Sequence, residues 1–283
     1  MKLFLTNKYQ HLESRWENYW LWYLEGKQMD EEAYYEAAVA CYDKAITLRP
    51  KDYWAWYQRG HALAELGDFD GALDSFNVAR EIRPTDYWVW YSQGYLLLEE
   101  FDRFEDAIDC FDRALEAKPG DYWSWYRRGD ALRHLQRYDE AIENYDRALE
   151  TKPRDFWAAY RRGDALRHLE RYTEAISSYD RALDTTSDDF WAYYKKGECY
   201  RYLEHYQAAI DCYSQALKIH PDDNAAWYNR ACCNALIGEG SRAIENLIEV
   251  IVRQPDVYRE LAAADGDFDG IRHRRQFQRL VEG

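Results

Sequence analysis

No segment of this sequence reaches the apolar length of a membrane span. The opening residues, MKLFLTNKYQHLESRW, hold no sustained apolar core and no small-residue cleavage site. A secretory leader is therefore not expected, and a cytoplasmic location is. The six cysteines, Cys41, Cys110, Cys199, Cys212, Cys232 and Cys233, include no C-x-x-C pair, which favours small buried thiols in a reducing compartment over disulfides or a metal site. Basic residues are in deficit, 37 Lys and Arg against 52 Asp and Glu, for a net charge of −15. Such a chain repels nucleic acid and anionic membranes wherever its charge is not locally separated. Also missing are a P-loop, a glycine-rich dinucleotide turn, an H-E-x-x-H pair and a nucleophile elbow. His61, His134, His168 and His205 do not cluster at ligand spacing, and His134 with Asp130 forms an i,i+4 pair on a helix face. No catalytic residue, metal ligand or cofactor site is expected, and the chain is not read as an enzyme.

Proline is scarce, and its placement is regular. Pro50, Pro84, Pro119, Pro153, Pro221 and Pro255 are all the prolines there are, and they mark the ends of successive units, with Ser187 in the place of a seventh. Proline ends helices because it lacks the N–H and blocks the preceding turn. Between these marks the stretch Tyr122–Asp155 is nearly duplicated at Phe156–Asp189, with looser copies on both sides. Gly26, Gly60, Gly94, Gly129, Gly163, Gly197 and then Ala231 recur at intervals of 34 residues, except for one interval of 35 before Gly129. A second small residue keeps step at Ala38, Ala72, Ala107, Ala141, Ala175, Ala209 and Ala243. Within a unit, Trp125, Gly129 and Leu132, then Ala141, Tyr145 and Ala148, fall at helical spacing. The short polar connector Gln136–Asp139 makes the two helices antiparallel neighbours. A unit of this size cannot bury its own apolar face, so the copies must stack.

The set Trp56, Gly60, Leu63, Phe69, Ala72, Phe76, Ala79 and Pro84, with its counterparts in each unit, resembles the tetratricopeptide repeat (TPR) family. The units are 19–52, 53–86, 87–121, 122–155, 156–189, 190–223 and 224–257. The resemblance implies an all-α fold, an α-solenoid in which antiparallel helix pairs wind into a right-handed superhelix with first helices lining a concave groove. Residues 1–18, through Leu12, Trp16 and Tyr19, are expected to form an N-terminal capping helix. Residues 258–283 leave the period and are expected to cap the other end. They read as a short helix Arg259–Ala264, a turn at DGDFDG and an amphipathic helix Ile271–Val281. The string DFDGIRHRRQFQRL is similar to the closing segment of many bacterial, notably cyanobacterial, arrays of this family. Three units depart from the pattern. The first has an unusual turn segment, KQMDEEAYYEAA. The third carries the extra residue near Glu99–Phe104, in the first helix or the connector. The seventh has Ala225, Ala231, Leu247 and Val250 where the others have Trp, Gly, an aromatic and Ala.

Aromatic residues make up 17% of the chain, with 12 Trp and 26 Tyr, and much of this excess lies on one helix face. In the fourth unit Trp123, Tyr126, Arg127, Asp130, Arg133 and His134 share the side of the first helix turned from its partner. The fifth repeats it with Trp157, Tyr160, Arg161, Asp164, Arg167 and His168, and the sixth with Trp191, Tyr194, Lys195, Glu198 and Arg201. Trp88 and Tyr91 extend it into the third unit, and Trp20, Trp54, Tyr23 and Tyr57 further back. Two roles stay open for these rings. They wedge between units as core, or they line the groove as a ladder for a ligand. The charges also have two readings. Arg127, Arg128 and Arg133 with their counterparts make a basic strip beside acidic second helices, or Arg127–Asp130, Arg161–Asp164 and Lys195–Glu198 are ordinary i,i+3 pairs.

By resemblance the groove implies a protein–protein interaction scaffold or adaptor, in the role of an assembly factor or regulator. The expected partner is a protein or an extended peptide carrying acidic and aromatic or apolar residues. The family's Lys/Asn clamp for chaperone C-termini is missing, since its first Lys position is Tyr in every unit. RNA or single-stranded nucleic acid, held by the Arg/aromatic stripe, is the alternative, and the net charge opposes it.

Overall fold

A computed structural model describes residues 18–282, and it divides the chain into two compact units that meet at Leu135 and Gln136. The expected N-terminal cap, with Leu12 and Trp16, lies outside the described residues. The first unit holds α1 (residues 18–31), α2 (Tyr35–Leu48), α3 (Tyr53–Glu65), α4 (Phe69–Ile82), α5 (Tyr87–Glu99), α6 (Phe104–Ala117) and α7 (Tyr122–His134). The second holds α8 (Tyr138–Thr151), α9 (Phe156–His168), α10 (Tyr172–Leu183), α11 (Phe190–Tyr202), α12 (Tyr206–Ile219), α13 (Asn224–Leu236) and α14 (Gly240–Arg253). It closes with α15 (Pro255–Ala264), a 3-10 helix (Gly266–Ile271) and α16 (Arg275–Glu282). The described residues contain no strand. Within each unit helices pack on their sequence neighbours, α3 on α4, α5 on α6, α9 on α10, α11 on α12 and α13 on α14, so each unit is an all-α solenoid of antiparallel helix pairs.

The repeat positions explain why the helices begin, end and pair where they do. Asp52, Asp86, Asp121, Asp155, Asp189 and Asp223 each cap a first helix, accepting a backbone N–H two or three residues on. The repeated glycine sits where the partner helix comes closest. A Cβ at Gly60 would lie 2.6 Å from the Phe76 ring, and one at Gly163 would lie 2.9 Å from Tyr179. The seventh hairpin has Ala231 at this position, opposite the smaller Leu247, and both are fully buried. Successive hairpins are pinned by a recurrent hydrogen bond in which Trp56, Trp90, Trp125 and Trp227 donate Nε1–H to the carbonyls of Pro50, Pro84, Pro119 and Pro221.

The departures in sequence have different fates. The odd first turn keeps the common geometry, with Ala33 left-handed at φ 61° where the second hairpin has Gly67 at φ 79°. The extra residue of the third unit lies in the connector: α5 keeps 13 residues like the other first helices, and the left-handed residue moves to Asp102. The C-terminal helix starts at Pro255 rather than Arg259, because a proline in the first turn has no N–H bond to forfeit. The DGDFDG turn is a 3-10 helix, and the final helix begins at Arg275 rather than Ile271. Ile271, with Phe268 and Phe277, is buried against the seventh hairpin. This segment therefore covers the apolar end of the second unit.

Candidate functional site

The two aromatic roles left open by the sequence are divided between adjacent residues. In each of the first six hairpins the ring that opens the first helix turns inward. Tyr19, Tyr53, Tyr122 and Phe190 are buried, and Tyr87 and Phe156 are partly so. The tryptophan that follows turns outward. Trp20, Trp54, Trp88 and Trp123 in the first unit and Trp157 and Trp191 in the second are 40–55% exposed. Each indole meets the preceding ring edge to face, with centroids 5.0–5.1 Å apart. The preceding ring also stacks on the tyrosine one turn on, at 5.6–5.9 Å. Such pairs hold an exposed ring in one orientation. The tyrosines of the ladder are less available than their position suggests. Tyr126, Tyr160 and Tyr194 are under 10% exposed and Tyr91 is half-buried, so the indoles carry the accessible apolar surface.

The charges also divide between neighbours. Arg128, Arg162 and Lys196 leave the strip and pair with Asp112, Asp146 and Asp180 on the preceding second helix, as Arg59 does with Asp43. Each strip therefore carries two cations against one carboxylate, not three. The Arg162 guanidinium also donates to Ser178 Oγ at 2.7 Å. These links join hairpins and are not part of the face that carries the indoles.

What remains on that face is a half-buried ionic row. In the first unit Arg127 donates to Glu99 at 2.6 Å, and Asp130 lies 3.8 Å from Arg127 and 3.9 Å from Arg133. Burial works against the Arg127 charge, but Glu99 and Asp130 outweigh it and raise its pKa. In the second unit Asp164 lies 4.0 Å from both Arg161 and Arg167 and accepts from the Tyr179 hydroxyl at 2.9 Å. Arg167 reaches Glu198 of the next hairpin at 4.0 Å, and Lys195 donates to Glu198 at 3.0 Å. Arg201 ends the row, donating to Asp267 of the C-terminal segment at 2.5 Å. The Arg–Asp i,i+3 contacts are long for salt bridges, whereas Lys195–Glu198 is short. The Nε–H groups of Arg127, Arg133, Arg167 and Arg201 are buried and meet no acceptor among the described residues.

His134 and His168 are exposed and stack on rings of the preceding second helix, Phe104 at 4.7 Å and Tyr138 at 4.8 Å. Tyr202 does the same on Tyr172. This second row of ring pairs is not among the sequence-based expectations, although its signal is present as a ring at one fixed position after each of the first six connectors. One grouping among the described residues has metal-ligand composition, Cys232 with Asp265 and Asp267. Its donors are already engaged: Tyr228 donates to Asp265 and Arg201 to Asp267. Burial pushes the Cys232 thiol far up, away from the thiolate a metal would need. All six cysteines are free and buried. No described helix is long and apolar enough to cross a membrane.

Sequence models of the tetratricopeptide repeat match residues 34–67, 53–86, 91–156, 126–190 and 190–223. No curated protein matches the sequence. Among solved structures, the chain is similar to YrrB, described as a TPR protein with an unusual peptide-binding site, at 24% identity and a TM-score of 0.60, covering 65% of this chain and 95% of that one. It is also similar to MamA from Desulfovibrio magneticus, at 20% identity and a TM-score of 0.58 over 60% and 96% of the two chains. For PilF of Pseudomonas aeruginosa the values are 17% and 0.59 over 74% and 94%.

Proposed function

The chain belongs to the tetratricopeptide repeat family, and on that premise we propose that it is a protein–protein interaction scaffold whose first-helix faces grip an extended segment of a partner. One observation carries this reading: tryptophan stands half-exposed at the same position in six successive hairpins, each indole held by the ring before it. Exposed indoles at a fixed position weaken solubility unless they are covered, and tryptophan dominates binding hot spots. The arginines beside them suit carboxylates on the partner, since the planar guanidinium fork matches a carboxylate in geometry and charge. The partner is thus a protein or peptide with apolar or aromatic side chains interspersed with acidic ones, and the chain serves in assembly or regulation within the cytoplasm without catalysis. The peptide-binding site named for YrrB supports the class of ligand.

Affinity purification of the full chain from its native host, with the co-eluting proteins identified, tests the reading when repeated on two variants. One carries Trp157→Ala, Arg161→Ala and Trp191→Ala, the other Trp123→Ala and Arg127→Ala. Each should keep the wild-type helical signal and lose the partner at least tenfold. A partner retained by both variants refutes this face as the site. Salt-sensitive retention on a nucleic-acid column, with no protein partner, would favour single-stranded nucleic acid instead.

A further inference from the structure

At the junction of α4 with α5, an inter-hairpin link is missing from its usual place. Elsewhere a cation from the first helix reaches between successive second helices, as Arg59 does to Asp43, Arg128 to Asp112, Arg162 to Asp146 and Lys196 to Asp180. Here the corresponding residues are Gln93 and Asn77, a neutral pair joined by a 2.9 Å bond from Gln93 Nε2 to Asn77 Oδ1. The exchange is matched on both sides, amide for guanidinium and amide for carboxylate, so no charge is stranded. The helices α4 and α5 also pack over less of their length than the other second-to-first helix pairs. A cavity of about 630 Å³ opens at this position, with walls from α4 and α6 and a floor from α5. That volume is in the range of small-molecule sites.

The charges lining the cavity are not all accounted for. Arg103 pairs with Asp106, Arg113 with Glu116, and Asp112 with Arg128. Two lining charges have no ion-pair partner among the described residues, Arg80 on the α4 wall and Asp109 on the α6 wall. The Arg80 guanidinium rests 5.2 Å from the Trp90 ring centroid, and its one hydrogen bond is a long 3.4 Å contact to Gln93 Oε1. Gln93 itself is only 4% exposed. The cavity thus offers one cation on one wall, one anion on the other, two amides at its base and an apolar floor from Trp90 and Leu97.

We propose that this cavity binds a small zwitterion of the amino-acid class, its carboxylate on Arg80 and its ammonium group on Asp109. A ligand with both charges engages both walls, whereas one with a single charge engages only one and leaves the other to water. The site is separate from the indole-bearing face, so its test does not depend on that face having a partner.

The full chain is screened by thermal shift and titration calorimetry, at 10 mM probe, against the free amino acids and the longer zwitterions 4-aminobutanoate and 6-aminohexanoate. At least one probe should raise the melting temperature and give saturable heat. Arg80→Gln and Asp109→Asn should each weaken its binding at least tenfold. Gln93→Arg with Asn77→Asp, which rebuilds the link found at four other junctions, should abolish binding while leaving the probe-free melting temperature at or above wild type. The proposal is overturned if no probe binds, or if binding persists undiminished in the rebuilt variant or in both single variants. Circular dichroism on each variant separates lost binding from lost folding.

Discussion

Replacing Gly60 by alanine should destabilise the first unit even though alanine is the better helix former. The added Cβ would lie 2.6 Å from Phe76 Cε1 and 2.8 Å from Cδ1, well inside contact distance. Phe76 is 1% exposed, so its ring is held among neighbouring side chains. Helix propensity favours alanine by about 1 kcal/mol, and overpacking a core costs about 1–3 kcal/mol, with a 2.6 Å approach toward the upper end, so a net loss of about 1–2 kcal/mol is expected. The seventh hairpin shows the compensation, since Ala231 is accommodated where the facing residue is Leu247. Phe76→Leu alone should cost roughly 1–2 kcal/mol for the ring it removes. The double variant should lose less than the two single losses added, by roughly 1–2 kcal/mol, because the alanine methyl takes space the ring has left. Urea unfolding followed by circular dichroism at 222 nm, with wild type, both singles and the double in one cycle, gives the coupling. Gly60→Ala matching or exceeding wild type, or losses that simply add, would refute the argument that the glycine is there for close approach.

Three further outcomes are expected. Glu170 and Glu204 hold left-handed backbone at φ 60°, where glycine carries no steric penalty, so Glu170→Gly and Glu204→Gly should each raise stability by roughly 0.5–1 kcal/mol in the same urea assay. Burial lowers His61 from an ordinary value of 6.5 to about 4. The unfolded chain then binds a proton on falling through pH 6.5 while the folded chain does not until about pH 4, so stability is full above 6.5 and declines between the two. The decline approaches about 3 kcal/mol, and the difference between wild type and His61→Gln in urea midpoints from pH 7.5 to 4.5 should follow it. Trp191→Ala should cost roughly 1–2 kcal/mol and Phe190→Ala roughly 3–5, since the indole is half in water and the phenyl ring is buried. Equal losses would contradict the assignment of one ring to the core and the other to solvent.

What the sequence resolved and what it left open follow from the same geometry. The hairpins were legible because Gly60, Ala72, Phe76 and Pro84 recur in fixed register, and each has a separate physical duty that no other residue type discharges as well. The choice between Tyr53 and Trp54, or between Arg127 and Arg128, was not legible. Adjacent helical residues are turned about 100° from each other, and both members of each pair lie near the border between buried stripe and open face. Which one turns inward depends on how closely the next hairpin packs. Hence the sequence puts Arg128 with Arg127 on the strip, whereas Arg128 crosses to Asp112 on the preceding second helix. The cavity beside Gln93 did have a visible signal, since glutamine and asparagine replace arginine and aspartate at matching positions. Its meaning depended on knowing that those positions face each other across a junction.

The strongest physical support for the binding face is the way its indoles are held. An exposed tryptophan free to rotate would lose side-chain entropy on meeting a ligand, and that loss subtracts from affinity. Here each indole packs edge-on to the ring before it and, for Trp20, Trp54, Trp123, Trp157 and Trp191, beside a second at 5.9–6.3 Å, contacts that restrain it before any ligand arrives. Removing the supporting ring should therefore weaken partner binding without touching the indole. Tyr160→Leu leaves Trp157 in place but removes one of its two supports, so partner affinity should fall by roughly threefold to tenfold, while Trp157→Ala should cost at least tenfold. Time-resolved fluorescence anisotropy on a chain whose other tryptophans are replaced by phenylalanine would report the Trp157 motion directly. If the indole moves as freely in the wild type as in Tyr160→Leu, or if affinity is the same in both, the ring cluster serves packing alone and does not prepare the face for a ligand.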